Sequence, residues 1–162
     1  MGYSKEHIYM NYIRGAYKVL ESDWQKHARE IGLTQAEQHV LWIASIEKEA
    51  TITRISEVGL WDVSTVMQVL KRLKDKGLIE MHKKESDRRI SYVTLTDQGW
   101  EKKEASKAFS YKIFDYIHDF VNESEENEQL FQCVVKFTRE LNRHFYGNDF
   151  THWVEKDSKV TK

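Results

Sequence analysis

Gly77 separates two different periodicities, and that change limits what the chain can fold into. Upstream, Val63, Val66, Val69, Leu70 and Leu73 recur at intervals of mostly three and four residues, the spacing of an apolar stripe along one side of an α-helix. Downstream, residues 78–82 and 90–95 are short and rich in β-branched side chains, and Ile90 and Tyr92 alternate with Ser91 and Val93. That pattern predicts a half-buried two-stranded hairpin. A helix leading through one glycine into a hairpin, in a chain otherwise of helical periodicity, predicts a mainly α fold with a small β element (α+β).

Residues 62–76 make a self-contained helix, with Asp62 as N-cap and Gly77 as stop. Opposite the apolar stripe lie Ser64, Thr65, Gln68, Lys71 and Arg72. The first three carry short or bidentate groups that can hydrogen-bond base edges from the start of a helix. An ordinary amphipathic surface helix fits this segment alone about as well as a DNA recognition helix. The residues that follow favour DNA. The strands are joined by KKESDRR, without proline or glycine, in which Ser86 and Asp87 can close the loop. Arg88 and Arg89 sit at the tip, and with Lys83 and Lys84 they make a set of long cations suited to a minor groove or its phosphates. Asp87 is either a turn-former or an orienting partner for one arginine, and the two roles are compatible.

Net charge hides this arrangement, because 25 Lys and Arg nearly balance 26 Asp and Glu. Residues 71–89 nevertheless hold eight basic and four acidic side chains, whereas residues 115–128 hold six acidic ones and no Lys or Arg. A basic face on an acidic body is the charge layout of a DNA-binding protein.

The chain is long enough at 162 residues for one domain with extra helices around it. Residues 4–29 read as a helix with Ile8, Tyr12, Ala16, Tyr17, Leu20 and Trp24 in helical register. Its length exceeds what a three-helix core needs, so it either meets another subunit or crosses its own domain. After Gly32, Thr34 and Glu37 form a capping box for a core helix over 35–48, in which His39 is a packed or capping residue and not a metal ligand. Thr51 and Ile52 suit a very short strand, and Thr53 is expected to cap a two-turn helix that breaks at Gly59. Residues 59–61 then form the tight turn of a helix-turn-helix, with Trp61 as a hydrophobic brace. Beyond the hairpin, Thr96 is expected to start one helix running to about residue 122. Residues 123–128 form an acidic joint, and a last helix over 127–146 carries Leu130, Val134, Phe137, Leu141 and Phe145 on one stripe and Phe131 and Val135 beside it. Two stripes require two partners, which predicts intertwining with a second chain. The division expected is 1–30 dimerisation helix, 31–98 DNA-binding domain, 99–155 dimerisation helices and 156–162 a frayed tail.

DVSTVMQVLKRLKDKGLI followed by ESDRRISYVTLTDQG resembles the MarR family of bacterial transcription regulators, and HVLWIAS, ITRISEVGLWDVST and RHFYGNDF are similar to its Hpr type. The resemblance implies a winged helix-turn-helix core with long N- and C-terminal dimerisation helices. It further implies a homodimer that places two recognition helices in successive major grooves of promoter DNA and acts as a repressor. For the Hpr type, it implies negative control of extracellular protease production and sporulation genes. Carried over by position, Ser64, Thr65 and Gln68 face bases, Lys71 and Arg72 face backbone or neighbouring side chains, and Arg88 or Arg89 makes the wing contact. Val63 stands where the broader family commonly has a polar residue. No residue cluster specifies a small-molecule effector, and no cofactor is expected.

Other functions have less support. Cys133, the single cysteine, lies among Phe131, Val134 and Val135 with no basic cluster to activate it, so burial is expected rather than redox sensing. One cysteine also fits a reducing compartment. The seven histidines form no H-E-x-x-H, and there is no glycine-rich phosphate loop or nucleophile elbow, so no enzyme is expected. A protein-interaction module would show no salt-dependent duplex binding. No apolar run exceeds residues 40–44, and the start lacks a secretion signal, so a soluble, cytoplasmic chain without membrane contact is expected.

Overall fold

The computed structural model describes residues 4–157. Of the tail expected over 156–162, residues 158–162 lie outside the described residues, while Lys156 ends inside a helix. The order is α1 (Lys5–Glu30), α2 (Gln35–Glu47), β1 (Ala50–Thr51), α3 (Ile52–Gly59), α4 (Val63–Asp75), β2 (Ile79–Lys84), β3 (Asp87–Leu95), α5 (Asp97–Ala105), a 3₁₀ turn (Ser106–Ala108), α6 (Lys112–Glu123) and α7 (Glu125–Asp157). No helix among the described residues is long and apolar enough to cross a membrane.

The core forms where α2, α3 and α4 bring their apolar stripes together. Val40, Leu41, Ile43 and Ala44 meet Ile55 and Val58 of α3 and Val66, Val69, Leu70 and Leu73 of α4, closed on one side by Leu78, Ile79 and Val93 of the sheet. The capping box of α2 is present, with Glu37 N–H donating to the Thr34 hydroxyl and Thr34 N–H donating to Glu37. The next cap differs from the sequence expectation. Thr51, not Thr53, caps α3, its hydroxyl accepting from Arg54 N–H, so the helix starts directly from β1. Gly59 is the last residue of α3, and a Cβ there would meet the Trp61 ring at 2.9 Å. The left-handed residue that ends α3 is Leu60, at φ 54°.

The sheet is antiparallel in the order β1-β3-β2, with Ala50 opposite Val93 and Ile79 opposite Leu95. Its hairpin is longer than the sequence reading, turning through Glu85 and Ser86. Gly77 leaves α4 at φ 70°. Thr96 fastens the base of the hairpin to α5: its N–H donates to Leu78 O and its hydroxyl donates to Gly77 O. Gly99 is required beneath this joint, since a Cβ would lie 2.0 Å from the Leu78 carbonyl oxygen.

The single helix expected from Thr96 to residue 122 is two helices. The backbone extends at Phe109, and α6 begins at Lys112 with no cap from its own sequence neighbour. Buried Asp23 of α1 supplies the cap instead, accepting the Lys112 N–H at 2.9 Å. His27 secures the same break, stacking on Phe109 with ring centroids 4.5 Å apart and lying 2.9 Å from Ser110 O.

The last helix also exceeds the expected 127–146. It runs to Asp157 with an interruption at Gly147, where φ is 82° and ψ 176°. There the chain turns back, so that Arg139 before the turn pairs with Glu155 after it. The returning segment docks on the core: Trp153 is 4% exposed, its ring centroid 5.0 Å from that of Trp42, and Asp149 pairs with Arg54 of α3. Before the turn, Leu130, Val134, Phe137 and Phe145 are exposed, as are Ile8, Tyr12 and Tyr17 of α1. Cys133, expected to be buried, is exposed in this chain.

Candidate nucleic-acid interface

Asp62 organises the start of α4. Its carboxylate accepts from Thr65 N–H and from the Thr65 hydroxyl, both at 2.8 Å, and from the Ser64 hydroxyl. Donation from Ser64, then from the backbone and hydroxyl of Thr65, holds the Asp62 carboxyl down to a pKa of about 2. Ser64 and Thr65 therefore spend their donor hydrogens on the cap, and what they present outward is oxygen lone pairs.

The buried stripe of α4 is Val66, Val69, Leu70 and Leu73. Val63, assigned by its spacing to that stripe, does not join it. It is 51% exposed at the first position of the helix, ahead of fully buried Val66, and Met67 one turn later is 45% exposed. Ser64, Gln68 and Lys71 share the exposed side. The outward face of α4 therefore combines a polar ridge, Ser64 and Gln68, with an apolar one, Val63 and Met67. Sequence reasoning missed the second ridge. The available signal was that the helical stripe is already complete without Val63.

Arg72 and Lys76 turn toward the protein. Glu37 of α2 is 1% exposed, and its carboxylate accepts from Lys76 Nζ at 2.7 Å and from Arg72 Nε at 3.3 Å. Burial would raise the Glu37 pKa, but the Lys76 ammonium, the Thr34 N–H and Arg72 together outweigh it and hold the pKa below the usual value. Lys76 also donates to Gly32 O at 3.0 Å. Both cations thus lock α4 against α2.

The hairpin divides its charges similarly. Lys84 is held by Glu49 at 2.7 Å with its Nζ 4.3 Å from the Tyr92 ring centroid, while His82 lies 3.2 Å from the same carboxylate. Hydrogen bonds from Lys84 and then His82 lower the Glu49 pKa, and Glu49 raises that of Lys84. Lys83 is exposed. Beyond it the pairing jumps from Lys83 opposite Ser91 to Lys84 opposite Asp87, which leaves Arg88, Arg89 and Ile90 without partners across the ladder as a bulge. All three are exposed. Asp87 accepts from Arg89 N–H at 3.0 Å and from its guanidinium at 3.2 and 3.3 Å. It shapes the turn and holds one arginine.

Among the described residues no group of three or more His, Cys, Asp or Glu could hold a metal ion. His39 lies between Trp24, Trp42 and Trp61, with centroids 5.1, 5.4 and 5.0 Å away, and burial lowers its pKa to about 4. It is a neutral packing residue at pH 7. Trp61 braces the start of α4 from the same cluster.

The MarR family profile matches residues 33–91, which span α2 through most of β3. The chain is 32% identical over 156 residues to the HTH-type transcriptional regulator Hpr of Halalkalibacterium halodurans, covering 92% of this chain and 77% of that protein. It is 30% identical to the DNA-binding transcriptional repressor ScoC of Bacillus subtilis, covering 85% of this chain and 67% of the repressor. In fold it is similar to a MarR variant from E. coli complexed with operator DNA, with a TM-score of 0.66 and 18% identity over 79% of this chain and 91% of the other.

Proposed function

We propose, for a chain that belongs to the MarR family and is an Hpr-like DNA-binding transcription regulator, that it acts in the cytoplasm as a homodimeric repressor of promoter DNA, without enzymatic activity. The observation that carries the reading is the sorting of charges and polar groups on α4 and the hairpin. Gln68, Lys71, Lys83 and Arg88 are exposed and Arg89 is held by Asp87 within its own turn, whereas Arg72, Lys76 and Lys84 are tied to acids of other elements, Glu37 and Glu49. Gln68 reads base edges in the major groove and Ser64 and Thr65 accept hydrogen bonds there. Lys71 and Lys83 neutralise phosphate, and Arg88 with the Asp87-held Arg89 reaches the adjacent minor groove. Arg72 and Lys84 act mainly by fixing the elements that carry these groups.

The dimer reading rests on apolar surface. Ile8, Tyr12 and Tyr17 of α1, Phe114 of α6 and Leu130, Phe137 and Phe145 of α7 are all exposed, and apolar exposure on this scale marks an interaction surface. A second copy supplies the same face by two-fold symmetry. In this arrangement residues 1–30 and most of 99–155 form the dimer layer, and 31–98 bind DNA. By its Hpr character the regulon is extracellular protease production and sporulation.

The test is selection of bound fragments from a randomised duplex pool at moderate salt. An enriched inverted repeat with half-sites about one helical turn apart is expected, with affinity falling steeply as salt rises. Binding with no sequence enrichment refutes the reading role of α4, and absence of binding even at low salt refutes the DNA function.

A further inference from the structure

We propose that Val63 and Met67 recognise the 5-methyl groups of thymines in the major groove, so that apolar contact sets base preference at each half-site beside the hydrogen bonds of Gln68. The inference rests on the reading role of α4. Four of the apolar residues of this helix, Val66, Val69, Leu70 and Leu73, are at most 1% exposed, which completes its packing stripe without either side chain. Val63 and Met67 are four residues apart, one turn above the other on the half of α4 that begins at the N-cap. They are 51% and 45% exposed.

The chemistry of the neighbouring groups narrows what they meet. The donor hydrogens of Ser64 and Thr65 are engaged by Asp62, so the leading end of α4 offers methyl groups and hydroxyl lone pairs. On the major-groove edges of the four bases, the one apolar feature is the thymine methyl. A protein partner is a poor match for this patch. A specific interface buries about 800 Å² on each side, whereas here two apolar side chains sit beside Gln68 and Lys71, and the broad apolar surface lies on α1, α6 and α7.

Replacing thymine by deoxyuridine removes only the methyl group and leaves every hydrogen-bonding group in place. The full chain is titrated with the duplex enriched from the randomised pool, then with versions carrying deoxyuridine at one thymine position at a time. Deoxyuridine is expected to weaken binding about fourfold at one or two positions in each half-site, the equivalent of one methyl group left unburied. Val63→Ala and Met67→Ala are each expected to bind the thymine duplex more weakly and to lose the deoxyuridine penalty at one position. Both sites are exposed, and unchanged circular dichroism shows that the variants fold. Enriched sequences that bind equally well with deoxyuridine everywhere overturn this inference and leave the reading role of α4 intact. Penalties that persist unchanged in both variants overturn it as well. A pool that yields no enriched sequence overturns the reading role and this inference together.

Discussion

The Glu37 carboxylate lies 2.7 Å from the Lys76 ammonium, so a buried acid of α2 anchors the residue that ends α4. The same carboxylate also closes the capping box of its own helix through Thr34 N–H. Two helices of the core, α2 and α4, therefore share one charge.

Glu37→Gln keeps a hydrogen-bond acceptor for Thr34 and removes the charge that Lys76 and Arg72 face. A loss of about 1 to 3 kcal/mol is expected, below the range for a fully buried pair because both cations are partly hydrated. The Glu37 pKa is lower in the folded than in the unfolded chain. Its stabilisation is therefore complete above the unfolded value near 4.5 and is lost as pH falls through the folded value. Urea titrations between pH 7 and 3 should show this acid loss in the parent chain and a smaller one in Glu37→Gln.

Asp62 is expected to act on both stability and recognition. Asp62→Ala removes the cap, lowers the thermal midpoint and frees the hydroxyl hydrogens of Ser64 and Thr65, so base preference should shift as well as affinity. Asp62→Asn retains an acceptor without charge. Because the Asp62 pKa falls to about 2 on folding, its electrostatic stabilisation is full above about pH 4 and declines toward pH 2. Asp62→Asn should lack that decline in thermal melts, and an identical acid limb in parent and variant would contradict the assignment.

His39 predicts a third pH dependence, set by a base rather than an acid. Its pKa is about 4 in the folded chain against 6.5 unfolded, so the unfolded chain binds the extra proton between those values. Stability is greatest above about pH 6.5 and falls toward pH 4, by about 3 kcal/mol at most. His39→Phe should flatten this slope, and nuclear magnetic resonance titration of the His39 ring reads the pKa directly.

Trp153 is expected to hold the C-terminal segment to the core. Trp153→Ala should cost about 3 kcal/mol, and hydrogen exchange should accelerate over residues 148–157 and in α3. Asp149→Ala, which removes the exposed partner of Arg54, should cost less than about 1 kcal/mol. Equal effects of the two substitutions would show that the ion pair, and not ring burial, holds the segment.

Features with local causes were legible in the chain. Asp62, the Thr34 and Glu37 pair and Thr96 all cap helices as their sequence positions require, and the change of periodicity at Gly77 marks the helix-to-hairpin boundary. Features with distant causes were not. The break before Lys112 depends on Asp23, 89 residues away in sequence. Lys84 turns inward because Glu49 waits on the adjoining segment, and Val63 is exposed because the buried stripe of α4 starts at Val66. The cap of α3 moved from Thr53 to Thr51 because two threonines offered the same local signal and strand pairing of Thr51 with Tyr92 decided between them. At the return through Gly147, the glycine was visible, but the burial of Trp153 against Trp42 had no periodic signature.

That return changes the mechanics of the molecule. The outer helices meet the α2–α4 core through Trp24 of α1, whose ring lies against His39 of α2, and again, beyond Gly147, where Trp153 and Asp149 reach Trp42 and α3. A body pinned at one point swivels, whereas one pinned at two transmits torque. In the proposed dimer, rotation between the subunits would be passed on to the two reading helices rather than absorbed in a loose joint, so the spacing between half-sites would be gauged by the protein frame itself.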